Sequence, residues 1–142
     1  VAPRVLSLDA PAEVQLRVRD VIEERVRVTS PDDHVFIAVV VPLAAGLEVL
    51  DPTLATAPPE ATPSRRSTQQ ATYVDRRDDH VAFYFDALPK GTHDLVFRAR
   101  ATVAGSFVQP PARAEAMYDL ATMGRSAAAR VIVEPVEEDA AR

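Results

Sequence analysis

The sequence contains no cysteine and no tryptophan, and only 4 of its 142 residues are glycine. Without cysteine the chain cannot form a disulfide bond, a thiol nucleophile, a cysteine zinc site or an iron–sulfur centre. A chain of this length buries roughly 68–70% of the surface that its unfolded form exposes, so it can build a core without such supports. No apolar run approaches the roughly 18 residues of a membrane span, and no basic start precedes an apolar stretch, so we expect no signal peptide in this sequence.

The charge balance argues against another class of function. The 16 basic and 21 acidic residues give a net charge of −5. A protein that binds nucleic acid usually carries a basic surplus clustered on one face. Because arginine is interleaved with aspartate and glutamate along this chain, we do not expect it to bind nucleic acid.

Apolar and polar residues alternate with a period of two in much of the chain, which predicts β-strands with one face on a core. The 12 prolines argue against long helices, because proline breaks a helix interior. Residues 35–41 are instead an unbroken apolar run rich in β-branched side chains, which predicts a strand buried on both faces or nearly so. The alternating segments are residues 14–18, 26–29, 81–85, 95–103 and 130–134.

Turn-forming residues separate these strands. Ser-Pro-Asp-Asp at residues 30–33 has the length of a hairpin connection. Asp78 and Asp79 predict a turn before residues 81–85, and residues 88–92 place proline and glycine two apart, as in a tight turn. About six to eight short strands with this spacing predict an all-β fold, an antiparallel immunoglobulin-like β-sandwich.

One long stretch departs from the strand pattern. Residues 51–72 hold four prolines among alanine, threonine and serine. A loop of this length is usually either functional or disordered. We expect a mobile surface segment that trypsin cuts first at Arg65 and Arg66.

A second stretch predicts one short helical segment. Pro110 and Pro111 precede the alanine-rich residues 112–118; proline suits the first turn of a helix and alanine suits its body. Met117 and Tyr118 are adjacent within it, so they cannot both face a core comfortably. We expect one of them to project from the domain, and the alternative is that Met117 fills the core.

No motif for a catalytic or cofactor chemistry is present. The GxSxG, HExxH, Walker A and dinucleotide-binding patterns are all missing. His34, His80 and His93 each stand alone beside a predicted turn, without the converging ligands of a zinc or nucleophile site, so we expect surface histidines. The aspartates at residues 32–33 and 75–79 fit turn formers, and calcium binding is the alternative, although the spacing lacks the EF-hand pattern. We therefore expect no enzyme activity, no cofactor and no metal.

Several sequence blocks are distinctive. They are LPKGTH at residues 88–93, RARAT at 98–102, GSFVQPPARAEAMY at 105–118 and GRSAAARVIV at 124–133. Together they resemble the C-terminal domain of bacterial alpha-2-macroglobulins. PLAAGLEVLDP at residues 42–52 is a weaker match, with Ala44 where the family more often has proline.

The resemblance covers roughly residues 20–134 and divides the chain into three parts. Residues 1–20 are an unrecognised N-terminal strand or linker segment, residues 21–134 resemble the domain itself, and residues 135–142 read as a tail. The fold that the resemblance implies, a macroglobulin-type β-sandwich, agrees with the fold predicted from the strand pattern.

The resemblance implies a binding role. Proteins of this family resemble large periplasmic protease traps, in which macroglobulin-type sandwiches surround a helical thioester domain that couples to a protease after a bait segment is cut. A chain without cysteine cannot hold the thioester. The implied partners are the thioester domain and the neighbouring macroglobulin domains of one parent chain, with target proteases reached indirectly. The implied location is the periplasm, with membrane contact only through an anchor of the parent chain.

The resemblance also implies a site. Met117 corresponds to a residue that shields the thioester, and Tyr118 adds an apolar ring with a polar rim contact. Pro110 and Pro111 stiffen the approach, so that less entropy is lost on docking. The alternative function is a free-standing immunoglobulin-like adhesion or carbohydrate-binding module, which the missing tryptophan and the 6% aromatic content disfavour.

Overall fold

Twelve β-strands make up most of the regular structure in the part of the chain that is described. The computed structural model describes residues 5–8, 13–64 and 66–135, and within them the only helix is a 3₁₀ turn at Pro59–Ala61. No helix in these residues is long and apolar enough to cross a membrane. The strands are β1 (Val5–Leu8), β2 (Glu13–Arg17), β3 (Val21–Ser30), β4 (His34–Pro42), β5 (Leu47–Leu50), β6 (Tyr73–Arg76), β7 (His80–Leu88), β8 (Gly91–Ala101), β9 (Gly105–Gln109), β10 (Arg113–Ala116), β11 (Asp119–Arg125) and β12 (Ala129–Glu134).

The described strands form three sheets. Sheet I has the order β1-β3-β8-β5, sheet II has the order β11-β10-β4-β7-β6, and sheet III has the order β2-β12-β9. The predicted all-β antiparallel sandwich is confirmed, and two parallel pairs, β1 with β3 and β2 with β12, extend it. The first parallel pair arises because β2, in sheet III, lies between β1 and β3 in the chain, so the chain re-enters sheet I in its original direction.

Sheets I and II pack face to face around one apolar core. The alternation predicted for β7 is confirmed, because Val81, Phe83 and Phe85 are all buried. On β8, Leu95 and Phe97 are buried in the same way. The rings of Phe83 and Phe97 lie 6.4 Å apart between centroids and are tilted by 50°, so they join the two sheets directly.

Part of the N-terminal segment contributes to this core. Val14 and Leu16 of β2 are buried in the same cluster as Val131 and Val133 of β12. Most of the expected C-terminal tail lies outside the described residues.

Connections between strands often pass from one sheet to the other. Residues 30–33 join β3 of sheet I to β4 of sheet II, so the expected hairpin is wrong; β3 pairs with β8 and β4 pairs with β7 instead. The turn is closed by Ser30, whose hydroxyl donates to the carbonyl oxygen of Asp32 at 2.5 Å. The turn at Asp78 and Asp79 is confirmed, because β6 and β7 pair antiparallel across it.

The alanine-rich segment is a strand, so the helix expected at residues 112–118 is wrong. β10 pairs with β4 on one side and with β11 on the other. Ala114 and Ala116 pack against the core, whereas Arg113 is exposed. Alanine at positions 112, 114 and 116 alternates with longer residues, and pairing along this period-two pattern overrides the helix propensity of alanine.

The loop at residues 51–72 is attached to the outer face of sheet I by a buried ion pair. Glu23 of β3 is fully buried and accepts hydrogen bonds from Ser64 N–H at 2.6 Å and from Arg98 Nε at 3.0 Å. Arg98 also donates from Nη1 to the carbonyl oxygen of Glu60 at 3.0 Å. One arginine thus joins the strand carboxylate to the loop backbone.

The same loop pairs with β8 further along the chain. Thr68 N–H donates to the carbonyl oxygen of Asp94 at 2.9 Å, and Asp94 N–H donates back to the Thr68 hydroxyl at 2.7 Å. These bonds attach residues 51–72 to sheet I, so the segment is held more closely to the domain than we expected for a mobile surface loop. Early trypsin cleavage at the exposed Arg66 stays a prediction, and Arg65 lies outside the described residues.

Replacing Arg98 with methionine should destabilise the domain by about 3 kcal/mol, the lower end of the cost of breaking a buried ion pair, because Ser64 still donates to Glu23. Chemical denaturation measures the change. Arg77→Met is the control, since it removes an exposed contact with Asp75 at 2.9 Å and should leave the free energy of unfolding nearly unchanged. A loss under about 1 kcal/mol for Arg98→Met would contradict the role of the buried pair.

Candidate interaction site at the Met117 turn

Met117 and Tyr118 form the turn between β10 and β11. Met117 N–H donates to the carbonyl oxygen of Phe36 at 2.8 Å, which extends the pairing of β10 with β4 by one residue beyond Ala116. The Met117 residue is 50% exposed and Tyr118 is 83% exposed. Both therefore project from the domain, and the alternative that Met117 fills the core is wrong.

Phe36 supports this turn from β4. Its φ of 54° lies in the left-handed region, which a bulky residue rarely adopts. The ladder between β4 and β7 omits Phe36, although its neighbours Val35 and Ile37 are both paired. The Phe36 ring meets the Tyr118 ring edge to face, with centroids 5.4 Å apart and planes at 90°. This contact gives a fixed neighbour to a tyrosine that is otherwise in solvent.

Phe36, Met117 and Tyr118 together form an exposed surface that we call the apolar patch. Phe36 is 42% exposed, and Val35, which precedes it, is exposed as well. The strand expected to be buried on both faces at residues 35–41 is therefore exposed at its first two residues. The sequence did not single out Phe36, because only its pairing with the Met117 turn distinguishes it from the rest of the apolar run.

Pro110 and Pro111 do not join the apolar patch. They precede Arg113 at the opposite end of β10, and the four strand residues between span about 13 Å at ~3.3 Å per residue. The structure thus brings together two of the four residues implied by the family resemblance, Met117 and Tyr118. The prolines can therefore affect the Met117 turn only through β10, which lies between them.

Two of the three histidines make hydrogen bonds within the domain, one to a backbone carbonyl and one to an aspartate. His93 is buried, and its Nε2–H donates to the carbonyl oxygen of Pro89 at 2.7 Å, so the expectation of a surface histidine is wrong there. His80 Nδ1 lies 2.7 Å from an oxygen of Asp79, and this hydrogen bond lowers the pKa of Asp79. Within the described part of the chain, no group of three or more histidine, aspartate or glutamate side chains could hold a metal ion.

Comparison with known proteins identifies the family. The family model of the bacterial alpha-2-macroglobulin MG10 domain matches residues 4–119. The chain belongs to this family. The alpha-2-macroglobulin homolog of Nostoc sp. is 28% identical to this MG10 domain over 130 residues, which cover 92% of the chain and 7% of that protein. The chain therefore spans less than a tenth of the length of this relative.

Solved structures of alpha-2-macroglobulins share the fold of this MG10 domain. Escherichia coli alpha-2-macroglobulin activated by porcine elastase matches with a TM-score of 0.73 and 24% identity, covering 84% of this chain and 11% of that one. Salmonella alpha-2-macroglobulin reacted with methylamine matches with a TM-score of 0.68 and 22% identity, covering 84% and 8%. The native Escherichia coli protein from domain MG7 to the C-terminus matches with a TM-score of 0.68 and 21% identity, covering 89% and 21%.

Met117→Ala should leave the stability of the 142-residue chain almost unchanged, with a loss under about 1 kcal/mol, because half of this residue is already in solvent. Ile37→Ala is the matched control. Ile37 follows Phe36 on β4 and is buried, so its truncation should cost about 2–5 kcal/mol. Thermal or chemical denaturation compares the two variants, and an equal loss in both would mean that Met117 belongs to the core.

Proposed function

We propose that this MG10 domain is the C-terminal interaction domain of a bacterial alpha-2-macroglobulin protease inhibitor, and that its apolar patch docks on the thioester domain of the parent chain. The observation that carries the proposal is the exposure of Met117 and Tyr118 on a turn that hydrogen bonds to β4. Apolar side chains exposed together on a soluble domain often mark an interaction site. In the parent protein a partner domain would cover them.

A thioester is a partner group that such a surface suits. Its carbonyl carbon reacts with water and amines, so it survives only where both are kept away. The thioether of Met117 is flexible and polarizable, and it offers no nucleophile to the carbonyl. Tyr118 supplies a broad apolar ring whose hydroxyl can stay at the wet rim of the interface.

The apolar patch is already ordered before docking. The Met117 N–H bond to Phe36 fixes the turn backbone, and the edge-to-face contact with Phe36 fixes the Tyr118 ring. Ordering a mobile side chain on binding costs about 0.5–1.5 kcal/mol, so a patch ordered in advance binds more tightly. Pro110 and Pro111 contribute in the same sense by stiffening the segment that leads into β10.

The trap activity belongs to a protein much longer than this chain. The match to the Escherichia coli fragment that runs from MG7 to the C-terminus supports a position in the C-terminal part of the parent, as its last macroglobulin domain. Neighbouring macroglobulin domains are then further partners, and target proteases meet this domain only through the parent. We propose the periplasm as its location and no catalysis of its own. Because its relatives are multi-domain chains, we do not retain the free-standing adhesion or sugar-binding module.

In the full-length parent protein, Met117→Ala and Tyr118→Ala should each speed the loss of the thioester to water and small amines. We expect a rise in rate of about tenfold, the factor that corresponds to ~1.4 kcal/mol of lost protection. Incorporation of labelled methylamine and release of the cysteine thiol measure this rate.

Tyr73→Ala is the control for these substitutions. Tyr73 is another exposed tyrosine, on β6 at the edge of sheet II away from β10 and β11, and it stacks on Tyr84 with ring centroids 6.1 Å apart. Its truncation should leave thioester loss at the wild-type rate. A normal thioester lifetime in both Met117→Ala and Tyr118→Ala would overturn the docking proposal.

A further inference from the structure

Glu24 is an acidic residue on the inward face of β3. Ile22, Val26 and Val28 on the same strand pack in the core between the sheets, and Glu24 shares their parity because strand side chains alternate. It lines a cavity of about 370 Å³ whose other walls include residues of β2 and β12 in sheet III. Part of the side chain remains accessible, but its Oε2 atom is buried. A carboxyl group therefore occupies a position that the strand pattern assigns to an apolar residue.

Gln109 is the hydrogen-bond partner of Glu24. Its Nε2 donates to Glu24 Oε1 at 2.7 Å, which links β3 of sheet I to β9 of sheet III. The other oxygen of each group, Glu24 Oε2 and Gln109 Oε1, is buried without a hydrogen-bond partner. An ionised carboxylate and an amide oxygen are both acceptors, so these two atoms cannot bond to each other while Glu24 is charged. Two buried acceptors without a donor are costly to a folded protein.

One proton on Glu24 would supply the donor that both atoms lack. A proton on Glu24 Oε2 turns that atom into a donor that can bond to Gln109 Oε1, while the bond from Gln109 Nε2 is kept. We propose that Glu24 and Gln109 form a proton-dependent latch between sheets I and III. It is closed by two hydrogen bonds when the carboxyl is protonated, and it opens when ionisation removes the bond from Oε2 and leaves a buried charge that favours contact with water.

The charges near Glu24 do not favour its ionised form. The charged residues that line the cavity with it, among those described, are Arg25 and Arg27. Both arginines pair with Asp94, Arg25 at 3.8 Å and Arg27 at 2.9 Å. Burial without a facing cation raises the pKa of Glu24 to about 7, and the hydrogen bond from Gln109 offsets only part of that effect.

The strands packed around Glu24 present apolar residues to it. β8 pairs with it at Phe97, which is buried in the core, and on the other side the backbone of β1 pairs with it. Across the cavity, the described lining from the other strands and connections is Val14, Leu16, Val41, Gln109, Pro110, Ala112, Ser126, Ala127, Ala128, Ala129 and Val131. None of these side chains can supply or remove a charge, so the protonation of Glu24 depends on the pH of the solution.

The latch lies at the start of the segment that leads to the apolar patch. Gln109 is the last residue of β9, and Pro110 and Pro111 connect it to β10. Opening the latch would loosen the attachment of the end of β9 and this connection to sheet I. The latch is a property of the MG10 domain alone and does not depend on the thioester docking, so each proposal can fail without the other.

The pH dependence of stability tests the latch. The Glu24 pKa is about 7 in the folded chain against an ordinary value of 4.5, so the folded state binds more protons between these pH values. The stability that this proton contributes is present at low pH and is lost as the pH rises toward 7. From pH 5 to pH 8 we expect the unfolding equilibrium constant to increase on the order of 50-fold through this group.

Glu24→Gln is the matched variant, because the glutamine amide can make the same two hydrogen bonds without ionising. It should be about as stable as the wild type at pH 5 and more stable at pH 8, on the order of 50-fold in the unfolding constant. Glu48→Gln, which neutralises an exposed carboxyl on β5, should leave the wild-type pH profile unchanged. Identical pH profiles for the wild type and Glu24→Gln would overturn the proposal.

A direct titration keeps the test decisive even if Glu24→Gln does not fold. Carbon NMR of the wild-type chain should show one glutamate carboxyl that titrates near pH 7. At pH 8, amide hydrogen exchange in β9 and residues 110–112 should be faster in the wild type than in Glu24→Gln. Titration of every glutamate near its ordinary pKa overturns the protonated pair, and equal exchange in the two proteins at pH 8 overturns the opening step.

Discussion

Backbone pairing between β10 and β4 is the constraint on which the apolar patch depends. The pairing directs Ala114 and Ala116 toward the core, and the next residue, Met117, therefore faces outward. In a helix, successive side chains are about 100° apart, so one of Met117 and Tyr118 could have packed inward. The strand and its turn expose both, and the same pairing brings Phe36 against the Tyr118 ring.

A strand could be predicted from the sequence where its own alternation of apolar and polar residues determines it, and could not where pairing with a distant strand determines it. The alternation of residues 81–85 and 95–103 was enough to predict β7 and β8 as strands. It was wrong in detail for β8, which ends at Ala101 and is buried on both faces at residues 95–99, while Val103 is exposed. Residues 112–118 also alternate, but the apolar positions are alanines, and the high helix propensity of alanine predicted a helix. The strand forms because this segment pairs with β4 and β11, which are distant or unassigned in the local pattern. The resemblance singled out Met117 and Tyr118, and both are exposed, but their role in docking stays a prediction. The positive φ of Phe36 has no local signal at all.

The environments of Glu23 and Glu24 also depend on contacts that are distant in the chain and could not be predicted from the sequence. The two residues are neighbours on β3 and point to opposite faces, so one meets the loop outside sheet I and the other meets the sandwich interior. Glu23 lies in an ion pair with Arg98, whereas Glu24 faces the side-chain amide of Gln109. Their partners are 75 and 85 residues away in the chain, so the sequence alone shows only a pair of adjacent acids.

The latch and the apolar patch lie at opposite ends of β10, and the pairing of that strand separates their effects. All four residues of β10 pair with β4, and Met117 adds a further bond to Phe36. When Glu24 ionises, its Oε2 loses the proposed bond to Gln109 that helps to hold β9 to sheet I, while β10 stays in sheet II. The opening should therefore loosen Gln109 and the two prolines more than the Met117 turn. A domain with an open latch would still present Met117 and Tyr118, so a change of pH near neutrality would alter its stability more than its docking surface.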